Sequence, residues 1–201
     1  MTTKSLTFPQ AFPRPKSSSG IWSWLGTVDH KRIGTMYGIV SFIWFIVGGI
    51  EAMLMRLQLS SAENDLIGPE AYNQLFTMHG TTMVFLVIMP LSAAFFNWLI
   101  PLQIGARDVA FPRLNALSFW IFLFGGLIIN ASWITGNAPN GGWFGYAPNS
   151  GATFNPGMGM TYWVVGLNVL GVASIAAGLN FIVTILNMRA PGMSMFKVPI
   201  F

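Results

Sequence analysis

The sequence predicts an all-α integral membrane protein: a helical bundle of four transmembrane helices followed by the approach to a fifth. Three observations carry this. Charged residues make up only 8% of the chain and hydrophobic residues 53%, whereas an average globular protein is about 25% charged. Four segments each supply the roughly 20 predominantly apolar residues that a helix needs to cross a bilayer. Nine of the ten basic residues fall on one side of the membrane those segments define. Aromatic residues reach 14%, with 8 Trp, which suits a chain with two water–lipid interfaces to anchor. The absence of cysteine excludes disulfides, thiolate metal sites and cysteine nucleophiles.

The first thirty residues are polar and rich in Pro and Ser, as in Phe12-Pro13-Arg14-Pro15 and Ser17-Ser18-Ser19-Gly20. They hold no apolar core of a cleavable signal. Residues 1–32 therefore read as a tail and an interfacial stretch, Ile21-Trp22-Ser23-Trp24-Leu25, whose tryptophans are expected at headgroup level. Residues 33–201 read as the membrane region.

The first span runs from Ile33 to Met55, between Lys31-Arg32 and Arg56, and contains Glu51. The second runs from Leu75 to Ile100 with Pro90 inside it. As a helix it would be roughly 39 Å long, more than the ~30 Å hydrocarbon core, so tilt or a proline kink is expected to absorb the excess. The third span is Ala116 to Ile134 and the fourth about Trp163 to Leu186. The stretch from Met193 to Phe201 reads as the approach to a further span, so the chain is expected to be part of a longer or split protein.

Lys4, Arg14, Lys16, Lys31 and Arg32 precede the first span, Arg107 and Arg113 lie between the second and third, and Arg189 and Lys197 follow the fourth. The opposite side holds Arg56 against Glu63, Asp65 and Glu70. Basic excess marks the cytoplasmic face, which puts the N terminus inside. The net charge of +4 is then a topology signal and not a nucleic-acid surface. The outer loop from Thr135 to Thr161 carries no charge but many aromatics, Trp143, Phe144 and Tyr146 among them. It suits a folded cap over something at the outer surface, or equally an interfacial aromatic belt.

Only two histidines occur, His30 and His79, and His79 alone is expected within apolar surroundings. An ionisable group at membrane depth is costly and marks a functional site by default; the plainer reading is a neutral interhelical hydrogen bond. Positions eighteen apart return to one helical face, which aligns His79 with Asn97. Antiparallel packing of the first two spans can bring Arg56 near His79, although a snorkelling anchor fits Arg56 too. Asp108, Asn97 and Asn115 gather on the inner side, where Asp108 could equally form a loop salt bridge. Glu51 is expected to turn toward headgroup water. Met53 and Met55 read as packing filler, and Asn180 suits an interhelical hydrogen bond as well as a water chain.

Asp29-His30-Lys31, Met55-Arg56-Leu57-Gln58-Leu59, Tyr72-Asn73-Gln74 through His79-Gly80-Thr81, Gln103-Ile104-Gly105-Ala106-Arg107-Asp108 with Phe111-Pro112-Arg113-Leu114-Asn115, and Asn187-Met188-Arg189-Ala190-Pro191-Gly192 stand in register along the chain. Together they resemble the N-terminal part of subunit I of the haem–copper terminal oxidases, of cytochrome c or quinol oxidase type, whose fold has twelve helices. The resemblance implies that His79 is an axial ligand of low-spin haem iron, with a haem of a type. It further implies that Arg56 bonds the haem's peripheral formyl group, and that Tyr72 and Trp143 lie beside the haem groups. It makes Asp108 the cytoplasmic mouth of a proton pathway continued by Asn97, Asn115, Ser174 and Asn180.

Two positions depart from the family. Gln58 replaces the usual acid of a peripheral cation site, and Asn168 stands where many members have histidine. The second axial histidine, the copper ligands, the high-spin haem ligand and the pathway's terminal glutamate belong to downstream spans. The complete subunit is thus expected to hold high-spin haem and copper, which this segment does not ligate. It contributes no catalytic residue itself and is expected to be inactive alone. The implied partners are the rest of subunit I, other oxidase subunits, cytochrome c or quinol, and the lipid bilayer of a prokaryotic inner membrane. Two other functions fit the residues alone: a non-enzymatic haem-bearing cytochrome, and a proton-coupled transporter fragment without haem.

Overall fold

The computed structural model describes residues 20–200; Lys4, Arg14 and Lys16 lie outside them. Within those residues every regular element is helical: α1 (Trp22–Leu25), α2 (His30–Gln58), α3 (Pro69–Thr81), a π-helical segment (Thr82–Ile88), α4 (Met89–Ile104), α5 (Pro112–Ile134) and α6 (Gly159–Asn187), with a 3-10 turn at Met195–Lys197. Helix α3, the π segment and α4 run on as one span, and with α2, α5 and α6 they make four helices long and apolar enough to cross a membrane.

Local chemistry sets the helix ends. Asp29 accepts a hydrogen bond from the Lys31 amide at 3.0 Å and caps α2. Pro69 and Pro112 occupy first-turn positions of α3 and α5, where a missing N–H costs nothing. Gly105 closes α4 with φ +72°, and the Ala106 amide reaches back to the Pro101 carbonyl at 2.8 Å. That is a Schellman stop, which favours glycine.

The second span extends from Pro69 to Ile104, 36 residues, well beyond the apolar stretch Leu75–Ile100. The sequence places a proline effect at Pro90, and the structure expresses it as seven residues of π-helix just before that proline. The Met89 amide bonds the Val84 carbonyl, five residues back. Proline lacks the amide that would close the next α-turn, and a wider π-turn accommodates the loss. Because the helix starts at Pro69, His79 stands ten residues in, about 15 Å along the axis.

Helices pack where side chains are small. A Cβ on Gly166 of α6 would meet Ile129 at 2.3 Å and the Gly125 carbonyl at 3.0 Å, so α5 and α6 approach closely, as small residues permit in membranes. Tyr37, Trp44, Met78, Leu86, Phe119, Phe122 and Ile129 form the shared interior. Ile39, Phe42, Ile46, Ile50 and Met53 of α2, and Val172, Ile175 and Ile182 of α6, stay exposed and form an apolar exterior suited to lipid. At one end Arg32 stacks 5.5 Å from the Trp24 ring and donates to the Ser23 carbonyl at 3.1 Å, while Trp22 is exposed.

Candidate functional site

His79 lies in the last turn of α3 and is half-buried. Its Nδ1 is 2.8 Å from the Gly48 carbonyl of α2. A carbonyl can only accept, so Nδ1 carries the proton and Nε2 keeps its lone pair. A metal-ligating imidazole needs that arrangement: one nitrogen oriented by a backbone acceptor, the other free to coordinate. Glycine at 48 makes it possible, because a Cβ there would stand 2.9 Å from Met83 Sδ and 3.3 Å from Thr82.

The loop between α5 and α6 packs on the helix beside this histidine. The Trp143 ring occupies the space beside Gly80, where a Cβ would lie 2.7 Å from it, and tilts against Phe85 with ring centroids 6.4 Å apart. The Gly142 amide donates to Thr77 Oγ1 at 2.9 Å and ties the loop to α3, and Trp163 Nε1 of α6 donates to Thr81 Oγ1 at 3.1 Å. Helix α3 is thereby held by the loop before His79 and by α6 after it. Tyr72 is half-buried seven residues before His79 on the same helix, a spacing that returns to nearly the same face.

Arg56 is exposed. It follows the Gly48 contact by eight residues, about 12 Å of helix, and its side chain has no hydrogen bond to His79.

The readings of His30 and Glu51 need correction. His30 is 2% exposed, more buried than His79, because as the first residue of α2 it packs on α4 with Nδ1 2.7 Å from the Asn97 carbonyl. Glu51 does not turn to headgroup water: it is 5% exposed on the interior face of α2, beside Trp133 of α5. Asp108 is buried between α4 and α5, and its carboxylate accepts from the Val109 amide at 2.9 Å.

A second polar cluster lies at the His30 end. Asn115 Nδ2 donates to Asn97 Oδ1 at 2.6 Å, and Asn97 Nδ2 to the Ala93 carbonyl at 2.8 Å. Ser118 donates to the Asn115 carbonyl at 2.8 Å, which leaves Tyr37 OH to donate to Ser118 Oγ across 3.1 Å. Asn115 Oδ1 is buried without a hydrogen bond. Asn180 clamps the Asp108 loop, accepting from the Phe111 amide at 2.8 Å and donating to its carbonyl at 3.3 Å. Thr184 Oγ1 accepts from the Ala110 amide at 2.8 Å. Ser174 stands apart, exposed, on a cavity of about 660 Å3 that Tyr37, Pro90, Phe96, Phe122 and Leu170 also line.

His30, Tyr37, Ser118 and Thr184 were not singled out by their sequence. For Tyr37 a signal existed: Tyr37, Ser41, Trp44, Gly48, Glu51 and Met55 recur at helical spacing along the buried face of α2. Among the described residues no three His, Cys, Asp or Glu side chains gather to hold a metal ion, so His79 can supply one ligand only.

The chain is similar to known proteins over most of its length. The family model described as cytochrome c and quinol oxidase polypeptide I matches residues 32–201. The chain is 51% identical over 183 residues to cytochrome c oxidase subunit 1 of Bacillus subtilis (strain 168), covering 91% of the chain and 29% of that relative. It is 50% identical over 181 residues to the subunit 1 of Bacillus sp. (strain PS3), with 90% and 29% covered. Quinol oxidase subunit 1 of Bacillus spizizenii is 44% identical over 182 residues, with 90% and 28% covered. The chain spans less than a third of the length of these curated relatives. It belongs to the cytochrome c and quinol oxidase polypeptide I family.

Proposed function

We infer that this chain forms the first part of the catalytic subunit of a haem–copper respiratory oxidase, with His79 as one axial ligand of a low-spin haem of a type. The observation that carries the reading is the Nδ1 contact of His79 to the Gly48 carbonyl at 2.8 Å, which fixes the tautomer and aims a basic Nε2 away from α2. A haem held by His79 would supply reversible one-electron transfer. The protein's part is to orient the imidazole, shed water and tune the potential. Trp143, packed on Gly80, shields the site, and Tyr72 and Arg56 border it.

Asp108 is the group proposed to take up protons. Asn97 and Asn115 hold each other in the bundle interior, and the unbonded Asn115 Oδ1 calls for a water partner. Ser118 and Tyr37 carry the polar line to the cavity where Ser174 lies. Asn180, bonded to Phe111 on both backbone groups, acts on this route by holding its loop. The partners of this reading are the remaining part of subunit I, further oxidase subunits, and cytochrome c or quinol as electron donor. Lys31, Arg32, Arg107, Arg113, Arg189 and Lys197 flank the helix ends on one side of the bundle, which supports an N terminus inside a prokaryotic inner membrane.

The test is His79→Ala in the assembled complex. The low-spin haem absorption is expected to disappear from the reduced-minus-oxidised spectrum, and an unchanged spectrum would refute the ligation.

A further inference from the structure

Glu51 is a carboxyl group inside a membrane-spanning helix that the reading above does not use. It sits seven residues before the end of α2 and is 5% exposed. The Trp133 indole lies beside it, yet neither carboxyl oxygen completes a hydrogen bond among the described residues. Its neighbourhood holds two more buried polar atoms in the same condition, Trp44 Nε1 on α2 and Thr82 Oγ1 on the π segment. Thr82 faces Gly48 closely enough that a Cβ there would touch its methyl group at 3.3 Å. A stripe of polar groups thus follows the interior face of α2 through Trp44, Gly48 and Glu51, with unsatisfied atoms at Trp44 and Glu51. A buried carboxylate with no more than an indole N–H beside it is expensive to keep ionised. A protonated carboxyl, with one donor and remaining acceptor capacity, suits a site whose other polar atoms also await partners.

The same stripe touches His79. Its Nδ1 proton rests on the Gly48 carbonyl, and Glu51 follows Gly48 by three residues, about 4.5 Å along one helix face. No fixed charge stands between them. The π segment, α4 and α5 bring no titratable side chain to this half of the bundle, since Arg113 lies at the far end of α5. Helix α3 brings His79 here and, in its first turn, Tyr72 and Glu70, the latter exposed. Arg56, Glu63 and Asp65 are exposed. In a region of low dielectric, a change of charge near His79 acts on Glu51 largely unscreened.

We propose that Glu51 is a proton-binding site coupled to the redox centre held by His79. As that centre gains an electron, the Glu51 carboxylate binds one proton, and as the electron leaves the O–H bond breaks and the proton returns to solvent. One negative and one positive charge arrive together, so the site's net charge is unchanged. This rests on the haem reading given above.

Two measurements on the assembled oxidase test it. The midpoint potential of the low-spin haem is expected to fall with rising pH in the wild type and to lose much of that slope in Glu51→Gln. Glu51→Asp is expected to keep the slope over a displaced pH range. The redox-difference infrared spectrum of the wild type is expected to show a carboxyl C=O band that moves in heavy water and is lost in Glu51→Gln. A variant with the wild-type slope and band overturns the proposal. So does a wild-type spectrum with no such band, which needs no variant to assemble. The two readings fail separately: if His79→Ala abolishes the low-spin spectrum while Glu51→Gln behaves as wild type, only the Glu51 proposal falls. If His79→Ala leaves the spectrum unchanged, the haem ligation falls and the redox coupling with it.

Discussion

A histidine carries two ring nitrogens and, when neutral, one proton to place between them, so its function is settled by what lies opposite each nitrogen. His79 was legible as a candidate because it is ionisable in an apolar segment, but Gly48, which fixes its tautomer, was not. A glycine carries no side chain to announce a contact, and backbone carbonyls have no sequence signature. His30 was misjudged for a related reason. It stands among Asp29, Lys31 and Arg32, yet one residue into α2 the helix turns it inward onto Asn97. The same logic gives a prediction at Gly80. Alanine there would put a Cβ 2.7 to 3.0 Å from the Trp143 ring and its Cβ, atoms too near the backbone to swing aside. Overpacking of this kind costs about 1–3 kcal/mol, so Gly80→Ala is expected to lower the thermal midpoint and lift the cap, with Trp143 moving to a wetter environment. Tryptophan emission compared with Trp143→Phe isolates that signal; an unshifted spectrum would mean the loop is not held by this contact. Arg56 permits a second test. A guanidinium at a haem periphery withdraws electron density through its hydrogen bond, so Arg56→Met is expected to blue-shift the low-spin band and lower its midpoint potential. Since Arg56 is exposed, unchanged values of both would leave it a snorkelling anchor.

The helices were largely legible, because a span is written in some twenty apolar residues and its ends in capping chemistry such as Asp29 and Gly105. What escaped were elements decided by alternatives of similar cost. Pro90 could have kinked the span or widened it, and it widened it, over Thr82–Ile88. The polar start of α3 at Pro69-Glu70 continues the helix outside the apolar segment, which hydropathy alone does not see. Asn180 illustrates how an element's job can hide behind a residue's type. An asparagine in a span suits a water chain, but here its amide grips Phe111 at both backbone groups and so ties α6 to the loop between α4 and α5. Replacing it removes two hydrogen bonds of roughly 1 kcal/mol each. Asn180→Val is therefore expected to speed hydrogen exchange of the Ala110 and Phe111 amides and to slow proton uptake in the same proportion. Faster exchange with unaltered uptake would confine Asn180 to holding the loop. Slower uptake without faster exchange would make it a member of the water chain itself.

Across the whole molecule, the four spans were the easiest property to read, since each is a long apolar helix. Which polar groups meet across the bundle was harder, because contacts such as Tyr37 to Ser118 and Asn115 to Asn97 join residues far apart in sequence. Those contacts lie on the proposed route, whose mouth would be Asp108. The carboxylate is 8% exposed and bonded to the Val109 amide, on a loop held by Asn180 and Thr184. Above it the Asn97–Asn115 pair cannot titrate, but it can orient water between an acid at the mouth and the cavity lined by Tyr37 and Ser174. An amide at position 108 keeps the size and the Val109 contact while losing the exchangeable carboxyl proton. Asp108→Asn is therefore expected to slow turnover severely and abolish proton pumping, with the haem spectra intact because His79 and its cap lie at the opposite end of the bundle. A loop carboxylate with only a structural role would behave otherwise, losing some stability and keeping activity. Stopped-flow oxidation of the reduced complex with a pH dye separates the two: wild-type proton uptake in Asp108→Asn would place the mouth of the route elsewhere.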